Sequence, residues 1–339
     1  MNPRAKTNKA WGAVFILLPI LCILVSLTLG AFRVSVGHVF RILWGQLIGG
    51  IPEGITSLET SIVCDVRLPR ILGAVLAGCG LSMAGGVFQA LFGNPLADPY
   101  TLGVSNGAGF GAALAIVLSL SPLLIQVSAL LFGLVSVGLT FLLAGQKRRA
   151  PVTMILSGML VSAFFASLVS LLKFTADPQE KLPQIVYWLM GSLAGLRYTR
   201  LLVILPGFLA ASVVLFLYRW RINILSMGNR EAKSMGLNVR RDRTIVILAA
   251  TLLTALVVSI SGIIGWVGIV IPHLARMIVG PDFRKLLPVS ASLGTCYLLV
   301  IDDLCRTLTA QEIPIGVITG IIGIPIFLYF ILREKVSWA

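Results

Sequence analysis

Asp302 and Asp303 stand together at the end of an apolar run, and Arg306 follows one helical turn later. At i, i+3 and i, i+4 spacing these side chains share one helix face. Two readings stay open: a structural ion pair at a helix end, or a carboxylate that carries a coupling ion through a membrane. Other chemistry is sparse. The two histidines, His38 and His273, belong to no H-E-x-x-H arrangement, and no G-x-S-x-G occurs. No G-x-x-x-x-G-K-[ST] is present either, and Lys233-Ser234 lacks the glycine that lets backbone amides wrap a phosphate. The chain is therefore expected not to hydrolyse ATP and not to be an enzyme. Cys22, Cys64, Cys79, Cys296 and Cys305 include no C-x-x-C pair, so buried small side chains are expected, with no disulfide, metal or cofactor. Gly107, Gly109 and Gly111 resemble a dinucleotide loop only in spacing. No strand precedes them, and close helix packing is the expectation.

These residues ride on a very apolar chain. Of 339 residues, 57% are hydrophobic and 12% charged, against about 25% charged in a soluble domain. Stretches without Asp, Glu, Lys or Arg cover 10–32, 71–97, 99–146, 150–172, 201–218, 244–275, 286–301 and 313–332. A bilayer crossing needs about 20 mostly apolar residues, so the longer stretches must fold back. Ser121-Pro122 is the expected turn in one and Ser261-Gly262 in another. The first run, Ala10 to Phe32, is too long for a signal-peptide core and is expected to remain as a helix.

The net charge of +14 could suggest nucleic acid, but the basic residues sit in short loops and form no single face, so none is expected as a partner. They fix topology instead. With the N-terminus inside, about ten crossings return Lys147, Arg148 and Arg149, then the basic loop 219–243, then Arg284 and Lys285, then Arg333 and Lys335, to the cytoplasm. Both termini are cytoplasmic, in a multi-pass protein of the inner membrane. No loop is long enough for a second globular unit, so residues 1–339 form a single membrane domain, with 33–70 and 173–200 extracytoplasmic. Arg67, Arg70 and Arg306 fall on the outside against the charge rule. The segment Gly93 to Pro99 is either a plain turn or a structured loop near a conduction path.

Several long motifs now fall in order. Val66-Arg67-Leu68-Pro69-Arg70 leads into a glycine-rich helix. Gln89-Ala90-Leu91-Phe92-Gly93-Asn94-Pro95-Leu96-Ala97-Asp98-Pro99 and Leu102-Gly103-Val104-Ser105-Asn106-Gly107 follow. Later come Tyr187-Trp188-Leu189-Met190-Gly191, Gly265-Trp266-Val267-Gly268 through Pro272-His273-Leu274-Ala275-Arg276, and Ile313-Pro314-Ile315-Gly316. Over residues 10–335 the chain resembles the permeases of iron-siderophore, haem and vitamin B12 ABC importers. One departure is the double acid and cysteine in Asp302-Asp303-Leu304-Cys305-Arg306.

The resemblance implies an all-α, ten-helix permease of the type II importer fold, paired with a second copy of itself. Two cytoplasmic ATPase subunits lie below it and an extracytoplasmic substrate-binding protein above. It implies that Arg67, Arg70 and Arg306 meet acids on the binding protein, a task suited to charge-assisted contacts. It makes 219–243 the coupling element, with Gly228, Glu231, Ala232, Met235, Gly236 and Leu237 at the ATPase. Gln89, Asn94, Pro95, Ser105 and Asn106 are pathway or gate candidates. The function so implied is import of a metal chelate or corrinoid. The rival is a gradient-driven secondary transporter using Asp302 and Asp303.

Overall fold

The computed structural model describes residues 3–30, 32–48, 50, 54–145, 151–309 and 311–333. The expectations for Lys147, Arg148, Arg149 and Lys335, and for the side chains of Arg4, Lys6, Lys9 and Arg333, lie outside the described residues. Described elements are helical: α1 (Pro3–Thr28), α2 (Val36–Ile48), α3 (Ser57–Ser61), α4 (Leu68–Phe92), α5 (Val104–Val117), α6 (Pro122–Ala144), α7 (Pro151–Thr175), α8 (Lys181–Leu189), α9 (Tyr198–Ser226), α10 (Asn229–Ser234), α11 (Val239–Ser261), α12 (Val267–Val279), α13 (Phe283–Thr307) and α14 (Ile315–Arg333). Six long apolar spans are joined by four shorter apolar helices, 12–28, 104–117, 267–279 and 315–330. These are the ten crossings of an all-helical membrane protein.

The helix containing α4 is longer than the charge-free run suggests. A wider turn at Ile62–Arg67 joins α3 to α4, so one span runs from Ser57 to Phe92. Its start is a capping box: the Thr56 hydroxyl accepts from the Glu59 N–H, and the Glu59 carboxylate accepts from the Thr56 N–H. Its end is Gly93, at φ 58°, in the left-handed conformation that closes a helix most easily without a Cβ.

α4 is the axis of the bundle. Its glycines let neighbouring backbones touch, because lipid gives apolar side chains no reason to prefer protein to bilayer and close packing must hold the helices together. A Cβ on Gly78 would overlap the carbonyl of Gly294 in α13, and one on Gly294 would overlap that of Gly78. Gly85 meets the backbone of Gly268 in α12 in the same way. Ser82 Oγ donates to the Ser290 carbonyl at 2.8 Å, which fixes the antiparallel register of α4 and α13. α1 runs parallel to α13: Ser292 Oγ donates to the Phe15 carbonyl at 2.6 Å, and Ser26 Oγ to Asp303 Oδ1 at 2.6 Å.

The two anticipated fold-backs are present. Ser121 caps α6, with Pro122 at its first position, and α11 ends at Ser261 with Gly262 at φ 66°. Gly107 and Gly111 pack on Phe132, Ser136 and Ser128 of α6, which makes them packing glycines. At 14 and 13 residues, α5 and α12 are shorter than a full crossing of about 20. Loop 93–103 fills the missing depth by folding back into the bundle, where the Pro99 ring lies against Gly268.

Valine at Gly78 or Gly294 is expected to cost about 3 kcal/mol or more, since the opposing group is backbone and cannot swing aside. Both variants should lose the monodisperse peak and thermal transition seen by fluorescence-detected size exclusion. Gly138→Ala, where nothing lies within 4 Å of the new methyl, should behave as wild type.

Candidate functional site

Three arginines and three acids meet at the end of the bundle opposite the basic 219–243 loop. Asp302 is fully buried. Arg70 Nε donates to its Oδ1 at 2.8 Å and Oδ2 at 3.1 Å. Arg306 Nε lies 3.4 Å from Oδ2, close enough for charge attraction although not aligned for a hydrogen bond. Arg70 Nη1 reaches onward to Glu312 Oε2 at 2.6 Å, and Arg306 Nη2 pairs with Asp303. Other guanidinium donors reach carbonyls at and just beyond the end of α1. Arg67 Nη1 donates to the Leu27 carbonyl at 2.7 Å and its Nη2 to that of Phe32. Arg306 donates to the Leu29 carbonyl at 3.0 Å and the Ser26 carbonyl at 2.8 Å. Positive charge at the carboxyl end of a helix is where its dipole favours it.

This clamp changes the expectation for Arg67, Arg70 and Arg306. At 3%, 5% and 6% exposure, the three side chains are turned inward and tie α1, α4, α13 and the segment before α14 together. The continuous span from Ser57 places Arg67 and Arg70 inside a helix, and burial without partners would be prohibitive. Asp302 and Asp303 are likewise committed to arginines, so a coupling ion would have to displace a guanidinium. Glu312 and Ser26 complete the clamp and were not singled out from sequence. For Glu312 the signal was the scarcity of acid: with 13 Asp plus Glu against 27 Lys plus Arg, any acid beside an apolar run has a buried arginine as a natural partner.

Loop 93–103 is a structured element. Asn94 Oδ1 accepts from the Leu96 N–H at 2.9 Å, and Asp98 Oδ1 accepts from the Tyr100 N–H at 2.7 Å. Tyr100 donates its hydroxyl to the Ile264 carbonyl at 2.7 Å and accepts from the Ile264 N–H at 3.2 Å, tying the loop to the α11–α12 link. Gln89 is buried; its amide donates to the Ile269 carbonyl at 3.1 Å and its oxygen accepts from Arg276 at 3.1 Å, bridging α4 to α12. Ser105 is buried, while Asn94, Pro95 and Asn106 are half-buried. Of the five pathway candidates, Gln89 therefore joins helices, and Asn94 and Pro95 sit where loop 93–103 begins.

At the opposite end, α10 is a short helix in the α9–α11 connection. Ala232 is fully buried in its own chain, so its small size serves the seating of α10 on its neighbours. Gly236 at φ 78° ends the helix, and the Leu237 N–H donates to the Ala232 carbonyl at 3.0 Å. Gly228 and Leu237 are half-buried, whereas Glu231, Met235 and Gly236 are exposed. Met227 joins them at 64% exposure and Met235 stands at 51%, so two flexible apolar side chains project from an otherwise basic loop. The base of this loop is fastened: Arg221 pairs with Asp242 at 2.8 Å, and Arg243 donates to the Leu91 carbonyl at the end of α4. Asn223 Nδ2 donates to Asp282 at 2.7 Å and Asn223 Oδ1 accepts from the Phe283 N–H at 2.8 Å. The Arg284 backbone N–H, and then the Asn223 amide, hold Asp282 below the usual carboxylate range.

Residues 17–333 match the FecCD transport family. The chain is 40% identical over 99% of its length to the molybdate import system permease protein MolB of Haemophilus influenzae, covering 98% of that protein. It is 37% identical to the hemin transport system permease protein HmuU of Yersinia pestis, over 99% of this chain and 98% of that one. Among solved structures it is similar to a metal-chelate type ABC transporter in an inward-facing conformation, with TM-score 0.84 and 38% identity over 94% of this chain and 98% of that chain.

Asp302→Asn removes one charge from a buried pair and should cost about 3–5 kcal/mol. Glu312→Gln, at a carboxylate 40% exposed, should cost about 1 kcal/mol or less. Thermal transitions of the detergent-solubilised protein check the ranking, and Arg306→Glu, which sets a third carboxylate beside Asp302 and Asp303, should be destabilised at least as much as Asp302→Asn.

Proposed function

Because the chain belongs to the FecCD transport family, as a non-catalytic permease subunit of an ABC importer, we propose that two copies assemble with two ATPase subunits at the basic end and a substrate-binding protein at the clamp end. The observation that carries this reading is the polarity of the molecule. One end is locked by buried ion pairs; the other offers a short docked helix with exposed Met227 and Met235, the kind of adaptable apolar surface that seats in a partner groove. The basic end faces the cytoplasm, which puts both termini inside a multi-pass protein of the inner membrane.

Substrate-binding protein docks on the surface that the clamp braces, where Arg33, Arg41 and Arg197 are exposed. Arg67, Arg70 and Arg306 act there as supports, and their guanidiniums hold the helices beneath. The cargo is of the metal-bearing class moved by the relatives: a chelate, haem, cobalamin or molybdate. The pathway candidates Gln89, Asn94, Pro95, Ser105 and Asn106 carry no charge, so they offer a passing cargo no fixed charge to bind. Selection then falls to the binding protein, while nucleotide-driven motion at α10 opens and closes the path.

Met235→Glu places a charge in the contact without disturbing the fold, and Gly236→Val forces a branched side chain into left-handed backbone. Each should weaken copurification with the ATPase subunit by about tenfold or more, equivalent to about 1.4 kcal/mol. Unchanged copurification, with wild-type thermal transitions, would remove α10 from the coupling contact.

A further inference from the structure

A groove of about 610 Å³ opens between the first half of α1, the end of α12 and the start of α13. It lies at the same end of the bundle as the 219–243 loop. Gly12, Ile16, Ile278 and Val289 form its walls, and Arg284 and Lys285 stand at its mouth. The slot exists because α1 presents no side chain at Gly12, where nothing lies within 4 Å of a would-be Cβ. One turn further along, α1 and α13 are in contact through Ser292 and the Phe15 carbonyl. The walls open sideways: Ile16 is 67% and Ile278 45% exposed, on a surface that faces lipid in a membrane-embedded bundle.

The charge at the mouth is only partly neutralised from within: Asp282 attracts both Arg284 and Lys285, and one acid against two cations leaves an excess of positive charge. Asp282, the nearest acid, is engaged by the Arg284 backbone N–H at 3.0 Å and the Asn223 amide at 2.7 Å. Neither Arg284 nor Lys285 forms an ion pair with a described residue. A soluble anion would meet the charges but leave the apolar slot without an occupant. An apolar helix from another protein would fill the slot and strand the charges.

We propose that this groove is a binding site for one anionic phospholipid, with its phosphate at Arg284 and Lys285 and an acyl chain along Ile16, Ile278 and Val289. Basic pockets between membrane helices recognise anionic headgroups in this way. The site adjoins the Asn223 joint that fastens α9 to α13, and α9 leads directly into α10. Lipid occupancy therefore braces the end of the molecule through which motion is transmitted. Binding itself does not depend on the transport reading.

The test is native mass spectrometry of the purified chain titrated with dioleoylphosphatidylglycerol or dioleoylphosphatidylcholine. Wild type should retain the first phosphatidylglycerol at about tenfold lower concentration than phosphatidylcholine, as two headgroup cations predict. Arg284→Gln with Lys285→Gln should erase the preference, and Arg284→Lys with Lys285→Arg should keep it. Gly12→Phe, which fills the slot and leaves the charges, should lose the first bound lipid of either kind. All variants are compared at wild-type thermal transition and monodispersity. The proposal is overturned if wild type shows no preference, if the glutamine pair retains it, or if soluble glycerophosphoglycerol displaces the lipid. It is also overturned if the glutamine pair loses only ATPase copurification, which would make the patch a protein interface.

Discussion

A bilayer offers a protein neither hydrogen bonds nor a hydrophobic reward for bringing helices together, and the architecture around α4 follows from that constraint. Cohesion has to come from contact area and from polar groups that find one another. At Gly78 with Gly294, and at Gly85 with Gly268, the absence of side chains brings helix backbones into direct contact. Ser82 and Gln89 then spend their polar atoms on carbonyls exposed by that closeness. The short helices α5 and α12 are admissible for the same reason. The loop that completes their depth is lined by protein, and Tyr100 satisfies both backbone groups of Ile264.

Two ends with opposite mechanical character result. The clamp converts three arginines, expensive at this depth, into a joint among α1, α4, α13 and the approach to α14. Asp302 is its centre, because two guanidiniums converge on a carboxylate with no exposure. The other end is basic, ends in left-handed glycines and carries apolar side chains outward, so it is built for contact with something else. The apolar stretches of α7 and α9, in contrast, are only 28% buried inside the chain, against 78% for those of the span that ends in α4 and of α11. The less enclosed helices leave apolar surface to meet lipid or the second copy of the proposed assembly, while the packed block holds its shape.

Much of this was legible in the sequence, and for physical reasons. Spans announce themselves by lacking charge, and Ser121-Pro122 and Ser261-Gly262 mark the fold-backs because capping and turn chemistry is local. The glycines at 107 and 111 could be assigned to packing because no strand precedes them. The arginines were harder. Cutting the chain at charged residues puts Arg67 and Arg70 outside the helix by construction, whereas the Thr56–Glu59 capping box, a local signal left unread, starts the helix well before them. Their partners could not be read at all: Arg70 meets Asp302 across 232 positions and Glu312 across 242. Likewise the burial of Ala232 within its own chain is a fact of tertiary packing that the loop motif alone does not show.

The central claim is that this chain is a conduit driven from outside itself. The most direct measurement is cargo accumulation in proteoliposomes that hold the permease with or without its ATPase subunit, each with binding protein and ATP supplied and with a proton or sodium gradient imposed in turn. Accumulation should occur only where the ATPase is present and ATP is hydrolysed. Concentrative uptake by the permease alone, powered by either ion gradient, would contradict the account.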